Sequence, residues 1–343
     1  MQIGVILFPP LGRTAETSRM VESLGLASMV FPDSQNLAPE VWGQLMLAAA
    51  ATSKLELGPG VTNSITRDAA VTASAAVSLQ AESHGRAVLA IGRGDSSVQR
   101  IGKKEDPVAS FELYLQQLQA YLSGEAVDRD GFASRLEWLR HAKVPKVPVE
   151  VAATGKRVIA AAARRADRIC LAVGADADHL AGMLEHARDA VRAAGRDPNS
   201  VKYGAFINAV IHPDLEMARR AVRGTAATFA RFSAFPGSRL ENLPPPLREV
   251  ARHLRENYDM SQHTRAGAAH TAGLSDEFVN WFAIIGTAER ALPRFRKLVA
   301  LGLDFVRVVP GSADMPREMA AASLLNLAQQ VVPAIGQEGD SRR

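Results

Sequence analysis

The chain has 343 residues, 47% of them hydrophobic, enough to bury one large core or two ordinary ones. Its net charge of +4 comes from basic residues scattered among acids, which excludes a nucleic-acid surface as the expected function. The single cysteine, Cys170, lies inside the apolar run 169–173, so an intrachain disulfide and a cysteine metal site are excluded and a buried thiol is expected. The N-terminal MQIGVILFPP has no basic n-region and reads as a first strand, not a signal peptide. No run approaches the ~18 apolar residues of a membrane span, and a cytoplasmic protein is expected.

Residues 2–8 form a near-continuous apolar run that predicts a strand covered on both faces. A helix follows over 14–24, with Gly25 as its C-terminal stop. Next come a strand over 27–31 ending on Pro32-Asp33-Ser34, a helix over 39–52 opened by proline, and a strand over 55–61. The small and apolar residues of 69–81 predict a helix, and 87–91 a buried strand. After the amphipathic helix 107–122, the polar stretch 124–147 reads as an irregular excursion. The alternation then resumes: strand 149–153, helix 156–165, strand 166–173, helix 176–194, strand 201–211. Helix 287–301, strand 303–309 and helix 317–332 complete the pattern, and 336–343 reads as a frayed tail.

Eight apolar strands, each followed by a helix, predict a single α/β domain over 1–335 folded as a closed (β/α)8 TIM barrel. An open doubly wound sheet is the alternative. It is disfavoured because no G-x-G-x-x-G opens a helix after the first strand. Polar residues and glycines also recur at strand ends (Asp33, Thr62, Asp95, Thr154, Gly174), which a barrel gathers at one mouth. The segment 213–286 is too long for one crossover and contains helical stretches at 214–233 and 246–258; an insertion there reads as a lid or substrate wall, or else as a stabilising elaboration.

Gly58-Pro59-Gly60-Val61 at the end of a buried strand is unusual, because glycine and proline weaken a central strand. The local sequence fits either an ordinary strand-ending turn or a bulge against which something flat lies, with Thr62 and Asn63 supplying short polar side chains. Gly92-Arg93-Gly94-Asp95 and the following Ser96-Ser97 form a loop of bare amides and hydroxyls without the Walker or Rossmann pattern. At Ala153-Thr154-Gly155-Lys156 a strand hands over to a helix whose amides suit an anion, and Gly174-Ala175 lies one unit later. His84, His141 and His186 read as surface residues. His263 and His270, near Arg265 in the insertion, fit either a pocket role or a solvated loop. With no H-E-x-x-H pair, no metal is expected, and with no G-x-S-x-G, no α/β-hydrolase.

The run GPGVTN at 58–63 with Thr66-Arg67, then Leu79-x-x-Glu82-Ser83-x-Gly85-Arg86-Ala87, then Ile91-Gly-x-Gly-Asp95, resembles the luciferase-like flavin monooxygenase superfamily. Within it the chain is most similar to coenzyme F420-dependent oxidoreductases of the methylene-tetrahydromethanopterin reductase type. The resemblance extends through 148–175 and 286–306, and so covers most of the chain. It implies a luciferase-like barrel with a deazaflavin or flavin at the C-terminal mouth, a non-prolyl cis peptide at Gly60-Val61 beneath the ring, and Thr62, Asn63, Asp33 and Ser34 beside the ring. It also implies that the cofactor phosphate falls to Ala153–Lys156 and Gly174-Ala175, with Gly92–Asp95 lining the mouth. A homodimer through the helices after strands two and three is implied as well. The chain departs from the family twice. Ser34 stands where many F420 members carry histidine, and Ile6 where the methylene-tetrahydromethanopterin reductases carry a carboxylate, so the pterin reaction itself is not expected.

The resulting expectation is an F420-dependent oxidoreductase that transfers a hydride to or from a small organic molecule, with Asp33 as first candidate for proton handling and His263 as second. An FMN-dependent monooxygenase using oxygen is the alternative. A non-redox barrel enzyme holding a sugar phosphate and a cofactor-carrying protein without turnover are the remaining readings.

Overall fold

The computed structural model describes residues 1–235 and 238–340, with side chains through 336. Eight parallel strands form its centre: β1 (Gln2–Ile6), β2 (Ser28–Phe31), β3 (Glu56–Pro59), β4 (Leu89–Gly92), β5 (Val149–Ala153), β6 (Arg168–Leu171), β7 (Lys202–Ile211) and β8 (Phe305–Val309). β3 resumes as Thr62–Asn63 after an interruption at Gly60-Val61. β8 pairs with both β1 and β7, and β3 is the neighbour of β2. The circle closes on β4 from both sides of the interruption, through the Leu57–Ala87 bridge before it and Thr62–Ile91 after it. This closure makes the sheet a TIM barrel.

The outer helices are α1 (Thr14–Ser23), α2 (Val41–Ala51), α3 (Ala69–Glu82), the single turn α4 (Ser96–Gln99), α5 (Val108–Leu122), α6 (Lys156–Arg165) and α7 (Ala177–Ala193). The later ones are α8 (Leu215–Phe232), α9 (Pro245–Asn257), α10 (Asp276–Phe282), α11 (Ala288–Ala300) and α12 (Arg317–Asn326). Several start where an acidic side chain caps free amides: Asp68 accepts from Ala70 N at 2.9 Å and Asp214 from Met217 N at 2.9 Å. α1 stops where Gly25 adopts φ +74°, the left-handed conformation that ends a helix without a Cβ penalty.

Four details differ from the sequence expectation. The excursion 124–147 contains a hairpin, Val127–Arg129 with Phe132–Ser134, turned by Asp130-Gly131 at φ 54° and 87°. Within 213–286, Ile284–Gly286 forms a short parallel strand on the mouth end of β7. The expected frayed tail continues as helix from Val332 through Asp340, while residues 341–343 lie outside the described residues. Finally, the helix over 317–336 reaches the length and apolarity of a membrane span, but it buries Leu324, Leu327, Val331 and Ile335 in the barrel's outer core.

The barrel interior is not uniformly apolar. Arg307, fully buried, is ion-paired with Glu150 and lies 3.3 Å from Glu56, which also pairs with Arg168 at 2.7 Å. Beside this network sits Cys170, whose thiol is pushed up by burial and so stays protonated and inert. Above it an apolar layer of Ala172, Phe206 and Val309, packed against Ile6 and Val61, floors the mouth.

Candidate active site

A cavity of about 520 Å³ opens at the C-terminal ends of the strands, under the inserted helices. The sequence reads G-P-G-V where β3 meets it, and the Gly60-Val61 peptide there is cis. Gly60 fits because a Cβ would sit 2.4 Å from Val30 Cγ2, and Gly58 because one would sit 2.0 Å from the Val88 carbonyl. Val61 lines the cavity together with Ile6 and Ala152.

Asp33 at the end of β2 is 5% exposed. Its Oδ2 accepts from the Thr62 hydroxyl at 2.7 Å and from the Arg67 guanidinium, whose other nitrogen donates to Glu40 at 3.0 Å. Tyr114, its hydroxyl pushed up to about 12 chiefly by burial, donates to the Arg67 carbonyl at 3.2 Å and so fixes the arginine's backbone. Asp33 is therefore a braced carboxylate that positions β2 against the 62–67 loop. Ser34 shares a hydrogen bond with Ser96 at 2.9 Å. The Asn63 amide donates to Ser97 at 3.1 Å, and its Oδ1 accepts from the amides of Ile65 and Thr66 at 2.9 Å each. Ser34 thus ties the β2 loop, and Asn63 the β3 loop, to the β4 loop, which leaves the backbone and Val61 to face a ligand.

On the β4 loop, Gly92–Ser97 line the cavity. Gly94 has φ +95°, a conformation glycine adopts freely. Arg93 donates to the Asp106 carbonyl at 2.5 Å, and burial lowers its pKa. Asp95 is ion-paired with Arg231 of α8. Arg231 also lies over the rings of Tyr258 and Phe235, 4.4 and 5.0 Å from their centroids. The Tyr258 hydroxyl bonds His263 Nδ1 at 2.8 Å and Thr228 Oγ1 at 2.8 Å, and its ring stacks on His270 at 4.2 Å. His263 Nε2 stands 4.0 Å from Asp95 Oδ2. Burial is the main force on this imidazole and pushes its pKa down to about 4, so it is neutral at physiological pH. The neighbouring Thr264 has φ 62°, rare for a β-branched residue, and its hydroxyl donates to the His263 carbonyl at 2.6 Å.

The structure thus brings Asp33, Ser34, Gly60–Asn63, Gly92–Asp95, Thr154 and His263 to one cavity. It does not bring Gly174 and Ala175 there. α10 of the insertion covers them, with the Ala175 amide donating to the Phe282 carbonyl at 2.8 Å and Gly174, at φ +92°, lying against the Phe282 ring. Ala153 is closed into β5, while Gly155 opens α6 beside Thr154 without a side-chain cap. The segment around His263 and His270, readable from sequence as a solvated loop, is folded into short turns that bury both imidazoles. Arg231 escaped sequence reasoning. The one available signal was the recurrence of Thr225, Thr228 and Arg231 at every third position of an apolar helix, which puts polar groups on a buried face.

The chain matches the family model described as luciferase-like monooxygenase over residues 2–304. It is 26% identical over 339 residues to the 5,10-methylenetetrahydromethanopterin reductase of Methanolobus tindarius, covering 95% of this chain and 98% of that one. It is 28% identical over 316 residues to the phthiodiolone/phenolphthiodiolone dimycocerosates ketoreductase of Mycobacterium kansasii, covering 88% and 86%. The solved coenzyme F420-dependent tetrahydromethanopterin reductase from Methanopyrus kandleri superposes with a TM-score of 0.73 at 20% identity, covering 97% of this chain and 99% of that one, a likeness of fold. With a closed barrel, the cis peptide at the end of β3 and a family match across most of its length, the chain belongs to the luciferase-like monooxygenase family.

Proposed function

We propose that this protein is an F420-dependent oxidoreductase that transfers a hydride between the deazaflavin and an organic substrate. The observation that carries the reading is the cavity itself: a slot walled by Val61 and Ile6, rimmed by the amides of the β3 and β4 loops, and closed above by the inserted helices. Such a slot fits a flat tricyclic ring, since glycine at 92 keeps a side chain off its wall, where a Cβ would crowd Val61 Cγ2 at 3.2 Å. Residues 60–63 would hold the ring edge, and the Thr154–Lys156 end of α6, with Arg93 nearby, would hold the phosphate. When bound, the deazaflavin supplies the hydride chemistry at its C5.

The chain's own residues bind, orient and exclude water. Asp33 and Arg67 fix the loop that carries the cis peptide. The lid residues Arg231, Tyr258 and His263 close the cavity over Asp95. His263, neutral and with Nε2 4.0 Å from Asp95 Oδ2, would be the group that exchanges a proton with a substrate oxygen. Ile6, where a carboxylate would mark the pterin reaction, lines the same cavity and supports a different substrate. A second copy of the chain is proposed to cover α2 and α3, where Leu47 and Val71 are 50% and 56% exposed.

The FMN-dependent monooxygenase reading is kept because Ser34, bonded to Ser96, occupies the position where a histidine would touch the deazaflavin. Titration of the apoprotein with F420 and with FMN, followed by cofactor fluorescence, separates the two. Saturable F420 binding with little FMN binding is expected; tight FMN binding with none for F420 overturns the proposal.

A further inference from the structure

Two arginines line the cavity, Arg93 after β4 and Arg317 after β8. In the closed order β3-β2-β1-β8-β7-β6-β5-β4 these two strands are four steps apart in either direction, so the loops that leave them face one another across the mouth. The Arg93 side, with Thr154, is the side assigned above to the cofactor phosphate. The Arg317 side has no assigned ligand.

Arg317 opens α12 and is exposed, and among the described residues no carboxylate comes within ion-pair distance of it. The acids around the mouth are engaged elsewhere. Asp33 pairs with Arg67 and Asp95 with Arg231, while Asp314 accepts from the amides of Ala266 and Gly267 at 2.7 and 3.0 Å. Glu318, next in the chain, does not line the cavity. Ser312, on the same loop as Asp314, does line it and is 6% exposed; its oxygen accepts from the Gly224 amide at 2.9 Å, which leaves the hydroxyl proton to donate. The rest of the wall on this side, from the ends of β1, β7 and β8, is apolar: Leu7, Phe206, Val309 and Met315.

A cation at the rim of an apolar chamber, with no protein carboxylate to neutralise it, favours a ligand that brings an anion of its own. A flat ring held by residues 60–63, with its phosphate toward Arg93 and Thr154, would fill the β3 to β5 side of the mouth and leave the β7 to β1 side to the second reactant. We infer that Arg317 and Ser312 form the anion-recognition point for the substrate, and that the substrate is an amphiphilic organic acid. Its apolar body lies against Leu7, Phe206 and Met315, and its carboxylate or phosphate meets the Arg317 guanidinium. The inference rests on the F420-dependent reading and adds the charge class of the substrate to it.

Isothermal titration of octanoate, octyl phosphate, octanol and octylamine tests it, on the protein both alone and saturated with F420. On the saturated protein the tighter of octanoate and octyl phosphate is expected to bind at least about tenfold more strongly than octanol, the gain from one charge-assisted contact, and thereby names the head group. Octylamine, cationic at neutral pH, should bind weakest. Added salt should remove most of the anion's advantage and leave octanol unchanged. Arg317→Gln should lower the anion to the level of octanol while octanol itself is unmoved, and Arg317→Lys should keep part of the preference; because Arg317 is exposed, neither change disturbs the core. An anion bound no tighter than octanol on the saturated protein, or a preference that survives Arg317→Gln, overturns the inference and leaves the cofactor reading standing. Absence of F420 binding, with an Arg317-dependent anion preference still present in the protein alone, overturns the cofactor reading and leaves the anion site standing.

Discussion

The guanidinium of Arg231, carried on α8 of the insertion, is ion-paired with the carboxylate of Asp95 at the mouth end of β4, 136 positions earlier in the chain. The pair fastens the insertion to the barrel, and the same guanidinium packs over Tyr258, which holds His263. Removing one member of a buried pair leaves the other charge uncompensated, at roughly 3–5 kcal/mol when burial is complete. Asp95 retains 17% exposure, so about 2–3 kcal/mol is expected for Arg231→Met in chemical denaturation. Amide exchange should quicken across 258–271, and the double variant Asp95→Asn with Arg231→Met should recover part of the loss. Wild-type stability and exchange in Arg231→Met would show that the lid is held by packing alone.

Asp33 has the position of a proton carrier but the bonds of a brace. Both of its bonding partners, Thr62 and Arg67, act on Oδ2. Asp33→Asn should therefore weaken cofactor affinity about tenfold, the loss of one charge-assisted contact. The pH profile of turnover should keep its shape. A profile that loses its acidic or basic limb in Asp33→Asn would return the carboxylate to the role of acid or base.

The barrel was legible in sequence because its strands are short apolar runs bounded by turns; Val149–Ala153 and the helix Lys156–Arg165 fall where the pattern puts them. The charged interior was not. Glu56, Glu150 and Arg307 each stand between apolar neighbours and Arg168 follows Asp167, and periodicity cannot say which face of a barrel strand looks inward. The hairpin at 127–134 carried only one signal, the Asp130-Gly131 turn pair, inside an otherwise polar stretch. The glycines and proline at the end of β3 fitted a turn or a bulge equally; the cis peptide there was implied only by the family resemblance. The inserted half of the site was not legible, because nothing marks Arg231 as the partner of Asp95 until folding joins them. The covering of Gly174 by α10 was hidden for the same reason.

Gly174 now has a structural reason to be glycine. Its φ is +92°, and a Cβ would lie 2.6 Å from the Phe282 ring. A left-handed alanine costs about 1–2 kcal/mol and overpacking 1–3 more. Gly174→Ala should thus lose about 2–5 kcal/mol in urea denaturation, with part returned by Phe282→Leu in the same chain. An unchanged midpoint would mean that α10 shifts freely over this loop, and would reopen Gly174 to a ligand.

The proposed second copy makes its own prediction. Leu47 of α2 and Val71 of α3 are exposed apolar side chains on neighbouring helices. Sedimentation velocity at micromolar concentration should give a dimer, and Leu47→Glu with Val71→Glu should give a monomer of unchanged helical content, because charge at an apolar interface is costly while these side chains contribute little to the monomer's core. A monomeric wild-type protein would end the proposal.

His263 sets a pH window. An ordinary imidazole titrates near 6.5; in the folded protein burial, the largest influence, pushes this one down to about 4. Between those values the unfolded chain binds a proton that the folded chain refuses, so stability rises with pH across the window. The contribution is fully present above pH 6.5 and is lost progressively as pH falls toward 4, to a limit of roughly 3 kcal/mol. Carboxylates titrate at the lower edge of the same window, so the informative quantity is the difference between wild type and His263→Gln. The glutamine variant should show a shallower fall in unfolding free energy between pH 6.5 and 4. The Cε1 proton of His263, followed by NMR, should report a neutral ring down to about pH 5. A ring that protonates near 6.5 would mean that water reaches it, and that the lid stands open over Asp95 in solution.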